Sequence, residues 1–135
     1  MLNVLIVDDA LVIRKNLTKF FNNLGHKVLA EAKNGAEAVV LCKTINEKID
    51  LITMDITMPE MDGIEATKLI KEILPDVNII MITSHGQEEL VSESLKVGAK
   101  NFVLKPITEE KLEHVIGTLY KEYAKEEDEE LIDEA

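Results

Sequence analysis

The sequence has 135 residues, of which 46% are hydrophobic and 30% charged, and its formal net charge is −11. That length fits one domain with a real apolar core and leaves no room for a second catalytic module, and the composition is globular rather than disordered. Glu126 to Ala135 holds seven acids and no base, so residues 1–125 carry only −4. An acidic body without a basic cluster argues against nucleic acid as a partner, because phosphate-backbone binding needs Lys and Arg. The single cysteine, Cys42, has no disulfide partner and no CxxC or Cys/His neighbour, so it reads as a small buried hydrophobe. No apolar run reaches the roughly 18 residues of a membrane span, and no basic leader precedes the first run, so a cytoplasmic protein is expected.

Short apolar runs alternate with longer segments of helical spacing. The first run, Val4 to Val7, ends at the acidic pair Asp8 and Asp9. A helical stripe of Leu17, Phe20, Phe21 and Leu24 follows and stops at Gly25. Val28 to Ala30 is the second run; Leu51 to Met54 is the third and ends at Asp55. Val77 to Ile82 is the fourth and leads into Thr83 and Ser84. Leu90, Val91 and Leu95 form a further helical stripe before Gly98, and the fifth run, Phe102 to Leu104, ends at Lys105. After Pro106, Thr108 can cap a last helix whose stripe is Leu112, Val115, Ile116, Leu119 and Tyr123.

Four of the five runs are nearly continuous hydrophobe, which suits strands covered on both faces of a parallel sheet. The expected fold is therefore α/β, a doubly wound (βα)5 chain of the flavodoxin-like kind. Residues 1–124 are expected to form the domain and 125–135 an acidic tail, as a helix extension or a disordered segment. Ligands of such sheets sit outside the carboxyl ends of the strands, near the point where the winding reverses.

Asp8, Asp9, Asp55, Thr83, Ser84 and Lys105 all follow strands and so share that edge. Sequence does not fix strand order, but in the order 2-1-3-4-5 the first and third strands are neighbours and the three acids converge. Two carboxylates ~4 Å apart repel by about 4 kcal/mol at an effective dielectric near 20, so an acidic trio is poor scaffolding. A hard divalent cation removes the conflict, and Mg²⁺ suits it best, because it takes oxygen ligands and is often completed by a substrate phosphate. In a phosphoryl-transfer site of this kind, Asp55 is the carboxylate nucleophile. Asp9 and Asp8 hold the metal, while Lys105 and Thr83 face the phosphoryl oxygens.

The ordered set LIVDD (Leu5 to Asp9), MDITMPEMDG (Met54 to Gly63), MITS (Met81 to Ser84) and GAKNFVLKP (Gly98 to Pro106) resembles the receiver domains of bacterial two-component response regulators, specifically the stand-alone CheY-like kind. The resemblance spans Leu5 to about Tyr123. It implies Asp55 as the phosphate acceptor, Asp8 and Asp9 as the acidic pair, Lys105 as the motif's lysine and the backbone carbonyl of Thr57 as a further metal ligand. It also implies a switch in which Thr83 moves toward the phosphoryl group and Phe102 turns inward, and a cis peptide at Lys105-Pro106. Thr57 and His85 occupy positions that vary in the family and are expected to tune the lifetime of the phosphate. Plain core packing is an equal reading of Phe102.

The resemblance further implies a sensor histidine kinase as phosphodonor, a downstream protein bound at the face of the fourth helix, fifth strand and fifth helix, a phosphatase as a further partner, and a monomer or weak dimer. Chemotaxis is the expected pathway, with a phosphorelay intermediate as the alternative. A haloacid-dehalogenase-like phosphatase would need a second carboxylate two residues beyond the nucleophile, where this chain has Thr57. A phosphate-independent adaptor is demanded by nothing in the sequence. His26 and His114 lack metal-ligand spacing and read as surface residues.

Overall fold

The computed structural model describes residues 1–84, 86 and 88–120. Expectations for His85, Tyr123 and the acidic segment 125–135 therefore lie outside the described residues. Strands and helices alternate as β1 (Asn3–Val7), α1 (Leu11–Asn23), β2 (Lys27–Ala32), α2 (Gly35–Thr44), β3 (Leu51–Asp55), α3 (Gly63–Ile73), β4 (Asn78–Thr83), α4 (Glu88–Lys96), β5 (Asn101–Leu104) and α5 (Glu109–Leu119). Every neighbouring pair is parallel, and the sheet order is β2-β1-β3-β4-β5, as expected for the flavodoxin-like arrangement.

The side-chain alternation of the strands divides the core in two. Leu5, Val7, Ile52, Met54, Ile79 and Met81 face one way and meet Ala38 and Cys42 of α2 and Ala66 and Ile70 of α3. Val4, Ile6, Leu51, Ile80, Ile82 and Val103 face the other way and meet Leu17 and Phe21 of α1 and Leu112 and Val115 of α5. Cys42 is buried, and burial pushes its thiol up to about 11, so it is an inert packing group.

Helix ends follow the chemistry of the residues at them. Asn34, Asp62 and Thr108 cap α2, α3 and α5 by accepting the backbone N–H of Glu37, Glu65 and Lys111. Gly25 (φ 84°) and Gly98 (φ 113°) take the left-handed conformation just beyond α1 and α4, as their positions imply. At Gly98 the stem of Lys71 also lies against the glycine, while its ammonium donates to the carbonyls of Pro75 and Val77 beyond α3.

Two expectations need correction. β2 runs from Lys27 to Ala32 rather than Val28 to Ala30, because an edge strand tolerates the charged Lys27 and Glu31 that break its apolar run. His26 is not a free surface residue. Its Nδ1 accepts the N–H of Leu2 at 3.1 Å, and its ring meets Phe21 edge-on with centroids 6.3 Å apart.

Burial and the nearby N-terminal ammonium both lower the pKa of His26. The neutral ring is the form that accepts the hydrogen bond, so its stabilisation is present above the ordinary pKa of 6.5 and is lost as pH falls through the lowered value. His26→Phe should lose about 1 kcal/mol at pH 8, the worth of one such bond, and the gap from wild type should close toward pH 5. Thermal melts of both proteins across that range check this; a gap that does not change with pH rules it out.

Candidate functional site

The carboxyl ends of β1, β3, β4 and β5 converge on one edge of the sheet and bring the site residues together. Asp8 follows β1, Asp55 ends β3, Thr83 ends β4 and Lys105 follows β5. Asp8, Asp55 and Thr83 are almost completely buried, while Asp9 is exposed. A carboxylate oxygen from each of Asp8, Asp9 and Asp55 can be chosen so that all lie within 4.8 Å of one another. The Lys105 ammonium stands 2.9 Å from Asp8 Oδ2 and 3.5 Å from Asp55 Oδ1.

This geometry is set locally. Asp8 Oδ1 accepts the N–H of Ala10 at 2.9 Å, which turns the chain from β1 into α1. Lys105 is delivered by its backbone N–H bonding the Thr83 carbonyl at 2.8 Å, and the Lys105-Pro106 peptide is cis. Beyond Asp55, the loop to α3 closes when Gly63 N–H donates to the Ile56 carbonyl at 2.7 Å. Met58 is buried and Met61 partly so, both against the first core cluster, so the two side chains pack the loop onto the domain.

The electrostatics match the crowding. Burial, and then the charge of Asp8, raise the Asp55 carboxyl from 3.8 to about 7; Lys105 opposes this and Asp9 adds to it. For Lys105, burial alone would lower the pKa, but hydrogen bonds and charge from Asp8 and Asp55 outweigh it and hold the ammonium above its usual value. One lysine therefore faces three acids, a set of hard oxygens with an excess of negative charge that fits a divalent hard cation.

Asp9, Asp55, Thr57, Thr83, Ser84 and Lys105 line a cleft of about 230 Å³. A roomier cleft of about 460 Å³ lies at the opposite end of the sheet among Ile45, Leu74 and Tyr120. It holds none of the acidic trio, so chemistry rather than size marks the site. Phe102 is partly buried and packs against the first core cluster, with Met81 opposite it on β4. His85, expected to tune phosphate lifetime, lies outside the described residues.

The residue-by-residue reading missed Arg14. Its guanidinium donates to the Asp8 carbonyl at 2.8 Å and pairs with Glu31 at 3.3 Å. A lone arginine on an amphipathic helix gives no signal of this, since its partners lie on two other elements.

The model of the response regulator receiver domain matches residues 4–117 of this chain. The chain belongs to the receiver-domain family. Chemotaxis protein CheY of Thermotoga maritima is 43% identical over 118 residues, covering 87% of this chain and 97% of that protein. Chemotaxis protein CheY of Bacillus subtilis is 44% identical over 114 residues, covering 84% and 93%. Among solved structures, a chain of the CheX-CheY-BeF3-Mg²⁺ complex of Borrelia burgdorferi is 39% identical with a TM-score of 0.84, covering 88% of this chain and 89% of that chain. A receiver domain of this type is a signalling switch rather than a catalyst of external turnover, and phosphorylation-dependent switching fits it. Among the described residues, no helix is long and apolar enough to cross a membrane.

Proposed function

We propose that Asp55 accepts a phosphoryl group from a sensor histidine kinase in a Mg²⁺-dependent reaction and that the modified protein changes its protein–protein contacts in chemotaxis. The observation that carries this is the meeting of Asp8, Asp9 and Asp55 oxygens within 4.8 Å beside the Lys105 ammonium. The receiver unit is taken as residues 1–124, with 125–135 as an acidic tail, acting in the cytoplasm.

Asp8, Asp9, Asp55 and the Thr57 carbonyl would hold Mg²⁺, which when bound neutralises the oxygens of the transferring group. The Asp55 carboxylate attacks phosphorus, a new O–P bond forms, and the bond to the donor's leaving group breaks. Lys105 then pairs with the phosphoryl oxygens in place of part of its contact with Asp55, and Thr83 donates its hydroxyl to them. Thr83 ends the strand beside β5, so its shift is felt at Phe102, and the α4, β5 and α5 face carries the change to a downstream protein. The Borrelia burgdorferi relative, crystallised with CheX, BeF3 and Mg²⁺, supports both the metal and a protein partner. A phosphatase and a monomer or weak dimer complete the reading, with Thr57 and His85 tuning phosphate lifetime.

Acetyl phosphate with Mg²⁺ should add one phosphoryl mass to the intact protein, sensitive to hydroxylamine. Asp55→Asn should remove that modification, as should EDTA. Intact-mass spectrometry reads both; undiminished labelling of Asp55→Asn would refute the assignment.

A further inference from the structure

The Asp8 carbonyl belongs to the peptide that joins the two acids of the pair. Because that peptide is planar, fixing its oxygen fixes the direction in which Asp9 leaves the chain. The oxygen lies past the end of β1, where the Asp8 N–H still bonds the Ala32 carbonyl of β2. Its hydrogen bond comes from the side chain of Arg14, one turn into α1, at 2.8 Å.

Arg14 is itself held from behind. Its Nε stands 3.3 Å from Glu31 Oε1 on β2, and the other oxygen of Glu31 accepts the Thr18 hydroxyl at 3.2 Å. Side-chain exposures of 15% for Arg14 and 22% for Glu31 keep the pair partly out of water, where charge-assisted bonds are stronger than at an open surface. Lys15 reaches the same carboxylate at 3.6 Å but is 67% exposed, so its pairing with Glu31 is well screened by water. Asp8 is thus held on all its oxygens, by Arg14 at the carbonyl, by the Ala10 N–H at Oδ1 and by Lys105 at Oδ2.

We infer that Arg14, braced by Glu31, is a positioning residue that sets the Asp8–Asp9 turn and thereby the affinity of the acidic site for Mg²⁺. This rests on the Mg²⁺ reading of the site proposed above. Arg14 touches neither metal nor phosphate; it acts through the peptide between the two acids. Outer partners that orient metal ligands commonly change affinity about 10- to 100-fold when removed, and a backbone held also by Ala10 and Lys105 puts Arg14 near the lower figure.

The test is the Mg²⁺ dissociation constant, read from the thermal shift of the intact, unphosphorylated protein on titration with MgCl₂. Arg14→Ala should weaken binding about tenfold. Arg14→Lys should not restore it, because one nitrogen cannot occupy both the Nε position at Glu31 and the Nη1 position at the Asp8 carbonyl. Glu31→Gln should give a smaller loss that disappears in the Arg14→Ala background, whereas Lys19→Ala on the exposed side of α1 should bind as wild type.

A merely structural role would lower the melting temperature in EDTA and leave the Mg²⁺ midpoint unmoved. That result, or wild-type affinity in Arg14→Lys, overturns the inference. If wild type itself shows no Mg²⁺ shift, the metal reading falls and this inference with it. A wild-type shift lost in Asp9→Asn but retained in Arg14→Ala sinks only the role of Arg14.

Discussion

Gly63→Ala should lower the melting temperature by roughly 10 °C and weaken phosphorylation with it. A Cβ on Gly63 would lie 2.0 Å from the Asp55 carbonyl oxygen and 2.9 Å from both the Asp55 carbonyl carbon and the Ile56 Cα. These are backbone atoms at the end of a buried strand, and no rotamer change moves them aside. Alanine is better than glycine in a helix by about 1 kcal/mol, which favours the variant at the start of α3. Overpacking usually costs about 1–3 kcal/mol and occasionally more, and a 2.0 Å approach to a fixed backbone oxygen belongs above that range, at ~3–4 kcal/mol, so steric conflict wins at about 2–3 kcal/mol net. Relief requires the Asp55 peptide to shift, which carries its carboxylate away from Asp8 and Lys105. Calorimetry and acetyl phosphate labelling check the two effects; a melting temperature within 2 °C of wild type would mean that the loop yields more easily than its packing implies.

Asp55→Asn has the opposite sign in metal-free buffer. The folded protein raises the Asp55 carboxyl from 3.8 to about 7, chiefly by burial and then by Asp8. A carboxyl that binds its proton more tightly when folded contributes stability below the unfolded value and loses it as pH rises through the folded one. At pH 8 the ionised group is therefore a burden that asparagine, of the same shape, does not carry. Repulsion of about 4 kcal/mol per close acidic pair, offset in part by Lys105 at 3.5 Å, leaves a net gain of roughly 1–3 kcal/mol for the variant. In EDTA, Asp55→Asn should melt several degrees above wild type at pH 8, and the two should converge near pH 4. Millimolar Mg²⁺ should narrow the gap at pH 8 by stabilising wild type more. A variant that melts below wild type at pH 8 in EDTA would show that the acidic cluster is not under strain.

Much of this was legible because each level of the sequence pointed the same way. Nearly unbroken apolar runs marked buried parallel strands, and Gly25 and Gly98 marked helix ends by the conformation only glycine takes easily. Asp8, Asp9, Asp55, Thr83 and Lys105 were each placed by following a strand, since a parallel sheet puts all such residues on one edge. Strand order itself was supplied by the flavodoxin-like arrangement common to doubly wound sheets, because no single-chain pattern says which hydrophobic run neighbours which.

What escaped depends on side chains crossing between elements. Arg14 and Glu31 read as ordinary charges of a helix and a strand until β2 is paired beside β1. His26 reads as a surface residue until the N–H of Leu2, 24 positions away, is set against it. Gly63 stands in the sequence only as the last residue of its motif, because its contact with the Asp55 carbonyl exists only once the loop has closed.

The parallel sheet has one further implication, for the time at which the chain becomes competent. The groups of the proposed site come from the ends of four separate strands, Asp8 and Asp9 after β1, Asp55 at β3, Thr83 at β4, and Lys105, which arrives only after β5 has joined β4. On the proposed mechanism, a nascent fragment that ends before β5 lacks the lysine meant to face the phosphoryl oxygens, so competence to signal is expected only once the whole sheet has assembled.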